Sequence, residues 1–251
     1  GLQIPVERKE DVQEVLNYRE TMRLGSEMLA EGTALSLFLV RTLHGRLLQG
    51  TRGADKSPGA WRSVQVHIGK RGTPLTAASY VPPAPEHVPG LLENWIAFIR
   101  RTDIDPIIQA AVMHAQFEMI HPFVDGNGRM GRLLISLFLT EKGLLSKPCF
   151  YMSAYLQEHR EEYYAALGEI SRTRCWEHWI RFFITAILER SRANIDTLRE
   201  MTALYEDCKK KLHDCTSSGY AISILDYAFE NPIFTIPAMS KALGVDAPNL
   251  S

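Results

Sequence analysis

Apolar positions along the chain recur mostly at helical spacing. Val12, Val15 and Leu16 open an amphipathic stretch that runs to about residue 29 and breaks at Glu31-Gly32. Residues 35–48 predict a second helix, ended by Gly50 and the polar segment 51–59. The pattern then changes period. Val64, Val66 and Ile68 alternate with Gln65 and His67, residues 69–73 read as a turn, and residues 78–81 supply a return strand before Pro82-Pro83-Ala84-Pro85 stops it. One hairpin among helices is too small to form a core, so the segment at about 61–83 reads as a flap.

Helical spacing resumes over residues 88–100, 106–120, 133–145, 163–171 and 177 to about 211. Trp176, Trp179, Phe182, Phe183, Ile184 and Ile187 fall at helical intervals and are expected in the core. After the Lys209-Lys210-Lys211 run come two short helices, 221–230 and 235–243, separated by Asn231-Pro232. Gly244 as a turn glycine and Pro248 in the first turn of a following helix give helix-turn-helix texture. The expected fold is all-α with one small β-hairpin, a main domain over 1–200, and a linker helix with the start of a winged helix-turn-helix over 201–251.

Composition removes several classes. Of 251 residues 45% are hydrophobic, which excludes wholesale disorder, and 28 Lys and Arg against 29 Asp and Glu leave a net charge of −1. That balance argues against a basic coat for nucleic acid but not against a local cationic site. Cys149, Cys175, Cys208 and Cys215 are scattered without a C-x-x-C pair and are expected as reduced thiols. No apolar run approaches the ~20 residues needed to cross a bilayer, and the first residues lack signal-peptide character. The expectation is a cytoplasmic chain with no membrane association.

One segment carries concentrated chemistry: His121-Pro-Phe-Val-Asp-Gly-Asn-Gly-Arg-Met-Gly-Arg132. Gly126 and Gly128 permit a tight turn with consecutive N–H groups exposed, and the helix that follows offers unpaired N-terminal donors to an anion. Arg129 and Arg132 lie three apart at that helix start, where its dipole favours acids rather than bases. They make sense if the anion arrives as a ligand. Asp125 is a hard oxygen suited to Mg²⁺ bridging phosphates, and His121 can accept a hydroxyl proton near neutrality.

The segment resembles the Fic motif, H-x-F-x-[D/E]-G-N-G-R-x-x-R, at every defined position. Glu14-Val-Leu-Asn-Tyr18, Leu43-His-Gly-Arg-Leu-Leu48, Trp61-Arg62-Ser63, Tyr80-Val-Pro-Pro83 and Glu162-Tyr-Tyr164 are similar to text in bacterial Fic-domain proteins, so the resemblance covers most of the first two hundred residues. It implies a Fic helical bundle and AMPylation, the transfer of AMP from ATP with Mg²⁺ to a Ser, Thr or Tyr hydroxyl of a protein. In that reading His121 deprotonates the target hydroxyl and Phe123 anchors the loop. Asp125 holds Mg²⁺, the Gly126–Gly128 backbone with Asn127 forms the anion cradle, Gly131 is a further nucleotide-binding position, and Arg129 and Arg132 bind the outer phosphates. Tyr155 and Tyr164 are candidates to line the adenine pocket, with core packing as their alternative role. The flap would clamp a protein substrate by strand addition, although a plain surface hairpin fits the sequence as well. Homodimers are common among relatives, so a homodimer is admitted.

Some Fic proteins carry an inhibitory helix, [S/T]-x-x-x-E-[G/N], whose Glu pairs with the last motif Arg. Ser26 to Gly32 approximates it, but the spacing is off by one and Glu27 stands where Ser or Thr belongs. Glu31-Gly32 is therefore expected to be an interhelix turn, the chain being trimmed ahead of the inhibitory segment and again inside the winged helix at Ser251. Replacing Glu31 by Gly should then leave activity unchanged, and activation on that change in a labelling assay would overturn the reading. Two rival functions remain. One is a Fic relative that removes AMP or transfers phosphate or phosphocholine, and the other is a DNA-binding regulator, contacting DNA through its C-terminal region, in which the Fic domain senses nucleotide.

Overall fold

The computed structural model describes residues 6–69, 74, 76, 78–148, 150–216, 218–231 and 234–245, with backbone alone for 6–10. Ten α-helices occur among them: α1 (Val6–Ala30), α2 (Leu37–Leu47), α3 (Val88–Ile99), α4 (Pro106–Ile120), α5 (Asn127–Glu141), α6 (Ser153–Glu158), α7 (Arg160–Thr173), α8 (Glu177–Cys215), α9 (Ala221–Glu230) and α10 (Ile236–Leu243). The chain divides into two compact units, Gly1–Arg190 and Ser191–Ser251. The all-α expectation holds.

The first unit is organised around α4 and α5, which pack on each other; α3 and α7 lie against α4, and α1 against α2 and α5. Both central helices are apolar on most sides, and α5 buries Met130, Leu133, Leu134, Ile135, Leu137, Phe138 and Leu139. Phe117, Phe123, Trp95 and Trp179 are fully buried beside them. Both indole N–H groups are satisfied, Trp95 donating to the Met113 carbonyl and Trp179 to that of Ala111, each at 2.9 Å.

Three sequence expectations change. First, Val12, Val15 and Leu16 are exposed, and α1 instead buries Asn17, Thr21, Met22 and Gly25. The reason is chemical: Asn17 Nδ2 donates to the carbonyls of Leu47 and Gln49 (3.2 and 2.7 Å), capping the end of α2. Second, α5 begins at Asn127 rather than 133 and ends at Glu141, so half of the motif is already helical. Third, among the described residues the hairpin reduces to a single antiparallel bridge, Ile68 with Tyr80. One side-chain bond crosses between the arms, Gln65 Nε2 donating to the Pro82 carbonyl at 2.9 Å, and Tyr80 OH ties the return arm to α4 by donating to the Met119 carbonyl at 2.9 Å. Most of the predicted turn, residues 70–73, lies outside the described residues.

Helix α7 starts three residues before the expected 163, and α8 runs through the lysine run to Cys215. There Lys211 pairs with Asp207 at 2.7 Å in i,i+4 register. Trp179, Phe182 and Phe183 are buried as expected, Trp176 and Ile187 are partly buried, and Ile184 is exposed. Glu31 and Gly32 form the turn after α1. Cys175, Cys208 and Cys215 are free, and Cys149 lies outside the described residues.

In the second unit Tyr205 bonds to Asp226 at 2.7 Å and packs edge-on against Phe229, fixing α9 on the end of α8. The Thr235 side chain accepts from the Ala238 N–H at the start of α10, and Gly244 ends it. Pro232 and the predicted helix after 246, with Pro248, lie outside the described residues. No helix among the described residues is long and apolar enough to cross a membrane.

Candidate active site

The loop between α4 and α5 is shaped from both ends. Helix α4 stops at Ile120 because His121 takes a left-handed conformation, φ 50° and ψ 60°, while its N–H still donates to the Phe117 carbonyl. Helix α5 is preceded by its N-cap Gly126, also left-handed at φ 80°. Only glycine fits that position, since a Cβ would lie 3.1 Å from both His44 Nε2 and Leu48 Cδ2. Between them Phe123 is buried, its ring stacked on His44 at 3.5 Å and 1° and tilted against Trp61 at 4.8 Å.

Asn127 clamps the loop. Its Oδ1 accepts from the Phe123 N–H at 2.9 Å and its Nδ2 donates to the Phe123 carbonyl at 2.8 Å. The side chain is thereby consumed within the protein, and any share Asn127 has in an anion cradle comes from its backbone N–H. Asn127→Ala should leave both Phe123 groups buried and unpaired, costing about 1–3 kcal/mol; a urea midpoint matching wild type would contradict this.

His44 is a site residue that sequence patterning did not single out. Its Nδ1 accepts from the Gly59 N–H at 2.8 Å, so the proton sits on Nε2, which donates to the Asp125 carbonyl at 2.9 Å. Burial pushes its pKa down to about 4, keeping it neutral. The only hint in the sequence is that His44 lies in the Leu43–Leu48 text.

His121 faces a different environment. Its Nδ1 lies 3.3 Å from the Glu118 carbonyl, which can only accept, so Nδ1 carries the proton and Nε2 is left as a lone-pair acceptor. Burial, reinforced by the Arg62 charge, lowers its pKa to about 4 against the opposing hydrogen bond. The imidazole is neutral at physiological pH.

Arg129 and Arg132 differ in their surroundings. Arg129 pairs with Glu14 at 3.2 Å and with Asp125 at 3.6 Å, and Glu14 also meets Arg52 at 3.6 Å. Arg132 Nε is buried without a hydrogen-bond partner, as are Glu118 Oε1 and His114 Nδ1. Gly131 lies at the crossing of α4 and α5, where a Cβ would stand 2.4 Å from Glu118 Oε1 and force that carboxyl to shift. Burial raises the Glu118 carboxyl to about 7, against the pull of Arg132. Asp125 Oδ1 accepts from the Gly126 N–H at 2.5 Å, and its side chain is 36% exposed. No group of three or more His, Cys, Asp or Glu among the described residues forms a cage for a metal. Tyr155 is buried, stacked on His159 at 4.1 Å, whereas Tyr164 is half-exposed with the Arg160 guanidinium over its ring at 5.6 Å.

Two apolar central helices joined by this loop give an all-α fold similar to that of solved Fic proteins. Residues 34–139 match the family model described as Fic/DOC family. The chain is 36% identical over 112 residues to the probable protein adenylyltransferase aq_aa38 of Aquifex aeolicus, covering 43% of this chain and 32% of the relative. It is 30% identical over 172 residues to protein adenylyltransferase fic-1 of Caenorhabditis elegans, covering 66% and 30%. The chain thus spans about a third of the length of the curated relatives it matches. Among solved structures, a Fic family protein from Desulfovibrio desulfuricans aligns with TM-score 0.64 at 23% identity, over 96% of this chain and 65% of that one. Fic-1 from C. elegans aligns with TM-score 0.60 at 26% identity, over 80% and 56%.

Proposed function

We propose that the chain is a protein adenylyltransferase that moves AMP from ATP to a hydroxyl of a protein target. The observation that carries this reading is the neutral His121 imidazole, with Nε2 left as acceptor, beside the free N–H groups opening α5. In it, Nε2 takes the proton of the target hydroxyl and the hydroxyl oxygen bonds to the α-phosphorus. The bond to the β-phosphate oxygen breaks, and pyrophosphate leaves with the electron pair. The backbone N–H groups of Asn127 and Gly128 gather phosphate oxygens at the helix N-terminus, Gly126 shapes the turn that presents them, and Gly131 lets α5 approach α4 behind it. Arg132 offers its unpartnered Nε and adjacent guanidinium nitrogens, and Arg129 exchanges Glu14 for phosphate.

Asp125 fits Mg²⁺ of one kind. A single partly exposed carboxylate with no protein cage suits an ion that arrives on ATP phosphates and keeps most of its waters. Held by Asp125, Mg²⁺ would supply charge neutralisation at the phosphates of ATP. An adenine ring stacks best on an accessible aromatic face, and of the two expected tyrosines Tyr164 offers one. The flap, with one bridge formed at Ile68–Tyr80, is the edge for an extended target segment. The C-terminal helix pair α9–α10 is the start of a winged helix where DNA contact would reside, and a cytoplasmic location accords with free cysteines.

Incubation with Mg²⁺ and ATP labelled on either the α- or the γ-phosphate, followed by mass spectrometry, tests the assignment. Retained α-label and added AMP on the chain or on lysate proteins are expected. Retained γ-label would mean phosphoryl transfer instead. No label, with tight salt-dependent DNA binding, would favour the regulator.

A further inference from the structure

Arg62 is buried, with 3% of its surface exposed, yet it meets no carboxylate within 4.0 Å among the described residues. Its partners are backbone carbonyls. Nε donates to His121 at 2.8 Å, Nη2 to Ile120 at 3.3 Å and to Pro83, and Nη1 to Val64 at 3.4 Å. Its own backbone N–H donates to the Pro122 carbonyl at 2.9 Å. One residue thus takes the carbonyls of three consecutive positions, Ile120, His121 and Pro122, and one carbonyl from each arm of the flap.

Each part has a physical reason. The last carbonyls of α4 lack intrahelical partners and carry the negative end of the helix dipole, so a buried cation is favourable there. His121 holds a left-handed conformation that costs a non-glycine residue roughly 1–2 kcal/mol. Such a conformation persists only where its surroundings over-determine it. The guanidinium does this by fixing the His121 carbonyl, while the Glu118 carbonyl fixes the ring. A planar fork with five donors can span these separated acceptors, and a lysine ammonium, a point charge with three, cannot.

We propose that Arg62 is a positioning residue that ties both arms of the flap to His121, so that the surface offered to a protein target and the imidazole are held in one register. For its kinetic half the proposal rests on the adenylyltransferase reading; its spectroscopic half does not. The test compares wild type, Arg62→Lys and Gln65→Ala, the last removing a flap-crossing bond that does not touch His121. Arg62→Lys should lower kcat of AMP transfer about 10–100-fold, in line with the cost of ~1 Å misplacement, and leave the KM for ATP within about twofold. In nucleotide-free NMR the His121 ring signals should move in Arg62→Lys and stay in Gln65→Ala.

Unmoved His121 signals in a folded Arg62→Lys chain overturn the proposal, and so does wild-type kcat in that variant. If the wild type transfers no AMP, the functional reading fails and the ring signals alone decide. If Arg62→Lys does not fold, the wild type decides: a slowly exchanging Arg62 Nε–H with a cross-peak to residues 121–122 supports the tie, and a freely exchanging guanidinium refutes it.

Discussion

Replacing His121 by alanine should lower AMP transfer about 10²–10⁴-fold while leaving ATP binding within about twofold. The asymmetry follows from where the imidazole acts. In the proposed reaction, phosphate oxygens would be gathered by helix N–H groups and arginines, none of which depends on the ring. Only removal of the hydroxyl proton does. The change should also be structurally mild, because the backbone at 121 is held by Arg62 and by the Phe117 carbonyl rather than by the side chain. Single-turnover labelling with α-labelled ATP, beside equilibrium nucleotide binding, separates the two quantities. Labelling that persists in His121→Ala would remove the ring from the reaction.

The same geometry sets a pH expectation. With its pKa lowered to about 4, chiefly by burial, His121 is neutral over the whole range above that value. Acidification from pH 8 to 5.5 should therefore leave kcat at saturating ATP unchanged by protonation of the base. An ordinary histidine would lose most of its free-base form over that interval, since its pKa is ~6.5. An acid limb centred near 6.5 in the kcat profile, coinciding with His121 titration followed by NMR, would contradict the buried environment.

What could be read from sequence divides by distance along the chain. Helices α4, α9 and α10 emerge from local periodicity and caps, and the 121–132 motif from its dense chemistry. What escapes is the set of contacts between distant residues: His44 with Asp125, Arg62 with His121, and Arg129 with Glu14. These pairs have no period, and each partner alone resembles an ordinary polar residue. The start of α5 was hidden for a related reason. Gly-Asn-Gly reads as a turn, whereas only the left-handed Gly126 belongs to the turn and Asn127 is already helical. The buried face of α1 inverted because close approach and capping, supplied by Gly25, Thr21 and Asn17, outweighed burial of Val15 and Leu16. Hydrophobic patterning has no way to weigh a buried asparagine that caps a neighbouring helix.

Phe123→Ala should be the most destabilising single change in the loop, at about 3–5 kcal/mol, or a fall in Tm on the order of 10 °C. The ring is fully buried and lies flat on His44, beside Trp61 and Phe117. Removing it opens a cavity lined by groups that cannot collapse freely. His44 is held by hydrogen bonds at both nitrogens, and Phe117 belongs to the rigid face of α4. Phe123→Leu keeps most of the volume and should cost less than about 1.5 kcal/mol. Urea unfolding of the three proteins measures this directly, and a Phe123→Ala midpoint within 1 kcal/mol of wild type would refute the anchoring role. The functional consequence is separable. The backbone of Phe123 is gripped by Asn127, and His44, under its ring, holds the Asp125 carbonyl. Well below its melting temperature, Phe123→Ala should therefore lose AMP transfer beyond its unfolded fraction, whereas loss proportional to unfolding would make Phe123 a core residue without influence on the loop.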